Sequence, residues 1–120
     1  MTTFVTGTLN NQANQPYAGN GAINYFTQAS LDYTDFMGSM KIGRNNTGAM
    51  TDTLPDARTL PNGWNITIFN IDSVDAITLT PALPSTITFG STTATSMTIA
   101  NSKSCTIYSD GTNYLATNAI

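Results

Sequence analysis

In the second half of the chain, hydrophobic residues recur at every second position. Trp64, Ile66 and Ile68 fall on one side of an extended segment, because successive side chains of a strand point to opposite faces. The same period returns at Ile77 and Leu79, at Ile87 and Phe89, at Met97 and Ile99, and at Cys105 and Ile107. These segments follow one another at intervals of about ten residues, the rhythm of a sandwich or barrel. Leu60-Pro61-Asn62-Gly63 predicts a tight turn centred on Pro61 and Asn62. Asp110-Gly111 predicts a hairpin between Cys105–Ser109 and Thr112–Leu115. Pro81 and Pro84 bracket a loop, since proline cannot donate into a central ladder. The expected fold is all-β, a small antiparallel sandwich or barrel of jelly-roll type.

The first half is less regular. Thr2 to Leu9 predicts a short strand around Phe4 and Val5, Asn10 to Gly21 a polar loop, and Gly21 to Gln28 a further strand. From Ser30 to Asn62 the pattern weakens, with Met37, Met40 and Met50 interspersed among Gly38, Gly43, Gly48 and Pro55. Long patternless stretches within compact domains usually have a task, and flexible methionines fill irregular contacts well. An extended N-terminal and middle arm reaching onto a neighbour is therefore expected, with a looped excursion packed on the chain's own domain as the alternative. The division is residues 1–53 as strand and arm and 54–120 as a β-module, within one compact unit. Phe4, Val5, Met37, Met40 and Met50 are the expected partner contacts, and Trp64, Ile66 and Ile68 the expected core anchors.

Composition sharpens this picture. Glu and His are absent, whereas Thr occurs 22 times and Asn 13 times. Threonine suits the pleated surface of a strand, asparagine suits turns, and a favourable helix former is missing. A surface of hydroxyls and amides is unusual for a free monomer, whose solubility leans on dispersed charge. It points to a subunit that hides much of its surface in an assembly or, with less weight, to a secreted or particle-bound protein. With four basic and seven acidic residues the formal charge is −3, which argues against nucleic acid, whose phosphates require a clustered basic surface. Cys105 is alone, so no intrachain disulfide is possible, and its strand setting predicts a buried thiol. No basic and apolar leader follows Met1, and no apolar run approaches the roughly 18 residues of a membrane span. The expected product is made and assembled in a cytoplasm, without contact to a membrane.

Chemistry finds few candidates. Without His or Glu, acid–base work would fall to aspartates, Tyr, Lys or one Cys, so no enzyme and no cofactor is expected. The close carboxylate pairs are Asp32/Asp35, Asp52/Asp56 and Asp72/Asp75. Each lies in an expected loop or turn, where a solvated turn former is the simpler reading than a catalytic dyad. A Ca²⁺ site at Asp72 and Asp75 would need further oxygen ligands, and no metal is expected. Glycan recognition would draw on Tyr17, Tyr25, Tyr33 or Tyr114, although tyrosine in an all-β chain more often packs in a core or an interface.

The most distinctive stretch is Leu54-Pro55-Asp56-Ala57-Arg58-Thr59-Leu60-Pro61-Asn62-Gly63-Trp64, followed by Ile66-Thr67-Ile68-Phe69-Asn70. It resembles a β-module of tailed-bacteriophage virion proteins, in which a Leu-Pro-x-Ala segment and a Leu-Pro-x-Gly turn lead into a strand ending in Asn. Gly111-Thr112-Asn113-Tyr114 is similar to that module's terminal glycine-aromatic element, with Tyr where Trp is usual. The resemblance covers about residues 54–116 and implies a structural role, often as a trimer. The expectation is a capsid decoration, or cement, protein that binds the major capsid protein on the outer head surface as a homotrimer and stabilises the head. The alternative is a tail-fibre or receptor-binding tip protein that recognises a host surface glycan.

Overall fold

The computed structural model describes residues 22–117. They form eleven strands: β1 (Ile23–Phe26), β2 (Ser30–Asp32), β3 (Met40–Arg44), β4 (Met50–Leu54), β5 (Asn65–Asn70), β6 (Ile77–Pro81), β7 (Ile87–Phe89), β8 (Thr92–Ala94), β9 (Met97–Ile99), β10 (Ser104–Ser109) and β11 (Tyr114–Thr117). One 3-10 turn, Ala57–Thr59, lies between β4 and β5, and no α-helix occurs among the described residues. A seven-stranded sheet runs in the order β1-β3-β5-β10-β11-β7-β8, and a four-stranded sheet in the order β2-β4-β6-β9. The fold is all-β and built from two sheets, as expected.

Strand direction departs from the antiparallel expectation. Five pairings are parallel, namely β1–β3, β3–β5, β2–β4, β4–β6 and β7–β11, against four antiparallel ones. The cause is the route of the chain. From β1 to β6 it visits the two sheets alternately, so each return to a sheet is made in the same direction. The result is a flattened coil, which β9 and β10 then close by running antiparallel to β6 and β5. The Asp110-Gly111 hairpin forms between β10 and β11 as read from the sequence. The earlier turn sits one residue later than expected. The Trp64 N–H donates to the Pro61 carbonyl at 3.1 Å, which centres the turn on Asn62 and Gly63. Gly63 has φ 97° there, a left-handed conformation that a side chain would strain.

The middle arm is also corrected. Ser30–Asp32, Met40–Arg44 and Met50–Leu54 are strands β2, β3 and β4, embedded in the two sheets. No boundary falls at residues 53 and 54, since β3 pairs with β5 and β4 with β6. The short N-terminal strand expected at Thr2 to Leu9 lies outside the described residues, and so does Tyr17.

The core lies between the sheets. Met40, Ile42, Ile66, Ile68, Cys105, Ile107, Tyr114 and Ile87 face inward from the larger sheet, and Leu31, Met50, Leu54, Ile77, Leu79, Met97 and Ile99 from the smaller. Two charges share this interior. Arg44 follows the inward parity of Met40 and Ile42, Asp52 that of Met50 and Leu54, and both are fully buried. Their ion pair is bidentate, with Arg44 Nη2 donating to Asp52 Oδ1 at 2.7 Å and Nε donating to Oδ2 at 2.8 Å. Arg44 Nη1 donates to the Phe26 carbonyl at 2.9 Å, and the Tyr33 hydroxyl donates to Asp52 Oδ2 at 2.7 Å. Burial, followed by the Asp52 charge, pushes the Tyr33 phenol well above its usual range, so it remains a donor. The network joins the two sheets at the β3–β4 corner.

The segment entering β5 is pinned from three sides. The Asp56 carboxylate caps the 3-10 turn through the Arg58 N–H. The Ala57 N–H donates to Ser85 Oγ at 2.9 Å, and Ser109 Oγ donates to the Ala57 carbonyl at 3.3 Å. The Tyr114 hydroxyl donates to the Pro55 carbonyl. Trp64 packs edge-on to the Tyr114 ring, with centroids 6.5 Å apart, and its indole N–H donates to the Phe36 carbonyl at 3.3 Å. Trp64 is 7% exposed, so Trp64→Ala removes a large packed side chain and strands that carbonyl. Urea denaturation should show a loss of about 3–5 kcal/mol. As the chain holds a single Trp, native fluorescence should be blue-shifted and move to the red on unfolding.

Candidate functional site

The alternation that turns Ile66 and Ile68 inward turns Asn65, Thr67 and Phe69 outward, and strand register lines such positions up across the sheets. On the smaller sheet Ser30, Thr51, Thr78 and Thr98 form one outward row, and Asp32, Thr53 and Thr80 form a second. On the larger sheet one row reads Ile23, Lys41, Thr67, Thr106, Thr117. A second reads Tyr25, Gly43, Phe69, Ser104, and a third Asn65, Tyr108, Leu115, Thr88, Thr93. Hydroxyls pair across strands at Thr67–Thr106, 3.0 Å apart, and at Thr88–Thr93, 2.9 Å apart. β-branching restricts χ1 at each threonine, which fixes where the hydroxyls point. Among the outward strand positions only Lys41 and Asp32 carry charge.

Among the described residues β1 is the outermost strand of the larger sheet and β2 of the smaller, the positions at which a sheet can gain a strand. β1 also carries exposed apolar surface, with Tyr25 65% and Ile23 39% exposed. A Cβ on Gly43 would lie 2.7 Å from Tyr25 Cδ1. The absence of a side chain at Gly43 therefore lets the Tyr25 ring lie against the sheet with its other face open.

The five expected partner contacts separate. Phe4 and Val5 lie outside the described residues. Met37 is 47% exposed in the loop before β3. Met40 and Met50, at 1% exposure, are in the chain's own core and not on a surface that a neighbour reaches. Their spacing among glycines concealed an inward parity shared with Ile42 and Leu54. Trp64, Ile66 and Ile68 are buried. Of the tyrosines weighed for glycan contact, Tyr25 is exposed, whereas Tyr33 and Tyr114 are buried. Tyr108 and Leu115, 40% and 46% exposed, were not singled out, although both occupy the outward parity of their strands.

Three of the candidate carboxylates, Asp32, Asp52 and Asp56, have a local task. Asp32 Oδ1 accepts from the Thr34 N–H and hydroxyl at 3.0 and 2.6 Å. Asp52 is the buried partner of Arg44 and not a turn former. Asp56 is held down at about 2, chiefly by its hydrogen bonds from Arg58. Asp72 and Asp75 stand together in the β5–β6 loop, and among the described residues no group of three or more His, Cys, Asp or Glu comes together to hold a metal. The arrangement is suited to holding surfaces together by strand addition, apolar contact and hydroxyl hydrogen bonds. No family model, curated protein or solved structure matches the chain.

Cys105 faces the core at 1% exposure, and burial pushes its thiol up to about 12. A thiol so protonated and shielded reacts slowly. An aromatic disulfide reagent at pH 8 should leave the native protein unmodified and label one thiol per chain once denaturant is added.

Proposed function

We propose that this chain is a non-enzymatic structural subunit of a bacteriophage particle, acting as a decoration protein that clamps the outer capsid surface as a homotrimer. The observation that supports this reading best is the distribution of charge. A pair of charges is spent inside the core, while the outward rows of both sheets are almost wholly hydroxyl, amide, aromatic or aliphatic. Such faces suit lasting contact with other protein better than existence as a free monomer. The exposed side chains of Ile23, Tyr25 and Met37 provide further places for contact. The Leu54–Trp64 stretch that resembles phage virion modules forms the hydrogen-bonded entry to β5, in keeping with a scaffold role.

In this reading the mechanism is mechanical. Modest single-site contacts with the major capsid protein, repeated across a trimer, are multiplied by avidity and tie neighbouring capsid subunits against internal pressure. Apolar burial and strand pairing provide the binding free energy. One observation favours a second reading as a tail-fibre tip: the Tyr25 ring on Gly43 offers an open aromatic face on which a sugar ring can stack.

Copy number separates the two. On purified particles, quantitative mass spectrometry against the major capsid protein should count hundreds of copies, and sedimentation of the isolated protein should give a trimer. Tens of copies or fewer would overturn the decoration reading and lead to glycan arrays with Tyr25→Ala as the control.

A further inference from the structure

The β5–β6 loop contains a carboxylate that its own fold does not satisfy. Asn70, at the end of β5, holds the loop from beneath. Its side-chain amide donates to the carbonyls of Asp75, Ile99 and Ala100 at 2.9, 3.1 and 3.2 Å, and its oxygen accepts from the Asp72 N–H at 3.1 Å. Asp72 Oδ1 then accepts from the N–H groups of Val74 and Asp75 at 2.8 and 3.1 Å. The β9–β10 turn clasps the other side, with the Ser102 N–H on the Asp72 carbonyl and the Asn101 amide on the Ser73 carbonyl. Asp72 is 6% exposed, and its Oδ2 is buried without a hydrogen-bond partner, alone among the buried side-chain polar atoms described. The Asp75 carboxyl and the Asn46 backbone N–H both stand against the Asp72 carboxylate.

Two ionised carboxylates side by side repel one another unless a positive charge lies between them. Neither carboxylate forms an ion pair among the described residues. Arg44, whose carbonyl accepts from Ile71, turns its guanidinium to Asp52, and Arg58 pairs with Asp56. Lys103 in the β9–β10 turn forms neither of the two ion pairs, and the β3–β4 corner, which includes Asn45 and Asn46, has no titratable side chain. The Asn46 backbone N–H also bears on the Asp72 carboxylate but brings no net charge to offset that of Asp75, and the smallest positive charge available is a proton from solvent.

We infer that Asp72 and Asp75 hold one proton between them, carried on Asp75 and donated to Asp72 Oδ2, which makes the β5–β6 loop an acid-closed latch. Its exposed tips, Ile71 at 48% and Val74 at 77%, are apolar, so the latch governs how firmly a contact surface is presented. The directions of titration agree. Backbone N–H groups of Val74 and Asp75 hold Asp72 below the usual carboxylate range, whereas burial and then the Asp72 charge raise Asp75. The Asp75 contribution to stability is therefore complete below its unfolded value of about 3.9 and lost as pH rises through its raised folded value. The Asp72 contribution is present above that unfolded value and lost as pH falls through its lowered one. Between the two folded values the pair holds one proton, and the two steps belong to the pair.

The test is the carboxyl-carbon titration of the wild-type protein by NMR, together with urea midpoints of wild type and Asp75→Asn at pH 7 and pH 3. An asparagine amide at position 75 mimics the protonated acid, since it can donate to Asp72 Oδ2. The latch requires the Asp75 carbon to titrate above about 3.9, and the variant to have the higher midpoint at pH 7 with the difference gone at pH 3. An ordinary Asp75 titration, or a variant that gains nothing at pH 7, overturns it. A Ca²⁺-dependent rise in the wild-type midpoint at pH 7 that Asp75→Asn abolishes would also overturn it, and would make the pair a cation site.

Discussion

The ion pair of Arg44 and Asp52 is the constraint on which the first half of the fold depends. Taking two charges out of water costs several kcal/mol per ion, and the cost is met only when geometry and hydrogen bonding are complete. Here both carboxylate oxygens and all three guanidinium nitrogens are used, the last on the Phe26 carbonyl. Tyr33 adds a further donor from the end of β2. Strands β1, β2, β3 and β4 are thus gathered by one network. A one-residue slip of β3 or β4 would turn Arg44 or Asp52 outward and leave the other buried and unpaired. The pair sets register where the short strands of a flattened coil have little else to set it.

The interior polarity has a counterpart outside. Tyr33, Asn70, Ser85, Ser109 and the ion pair satisfy backbone and one another within the core, so the outward rows are left to threonine, serine and a few large apolar residues. Most proteins of this size keep charge on the surface and hydrocarbon inside. This one moves two charges inward and presents neutral faces, a distribution that suits a subunit whose surface is partly covered by others.

How much of this was legible in the sequence depended on whether both faces of a strand declared themselves. In β5 and β10, Ile66, Ile68, Cys105 and Ile107 alternate with polar residues, so strand, face and core membership could all be read. In β3 and β4 the inward positions include Arg44 and Asp52, and the same alternation looked broken. A stretch with its alternation so masked reads as an arm, and Met40 and Met50 within it as contacts for a neighbour. Charges that keep the parity of Met40, Ile42, Met50 and Leu54 were the available signal for a buried pair. Strand direction was not legible, because a period of two is the same in parallel and antiparallel sheets. It follows from the alternation of the chain between sheets, which no local pattern encodes. The outward position of Tyr25 could be read from its neighbour Phe26, but not the bare Gly43 that it lies on.

A double-mutant cycle on the ion pair tests the central claim most directly, with Arg44→Met and Asp52→Leu made singly and together and stabilities taken from urea denaturation. If the pair organises the fold, each single change strands a buried charge and costs about 3–5 kcal/mol, while the double replacement recovers most of that loss. Single changes that each cost under about 1 kcal/mol, the range of a solvent-exposed pair, would contradict the account and mean that the corner between β3 and β4 is held by something else.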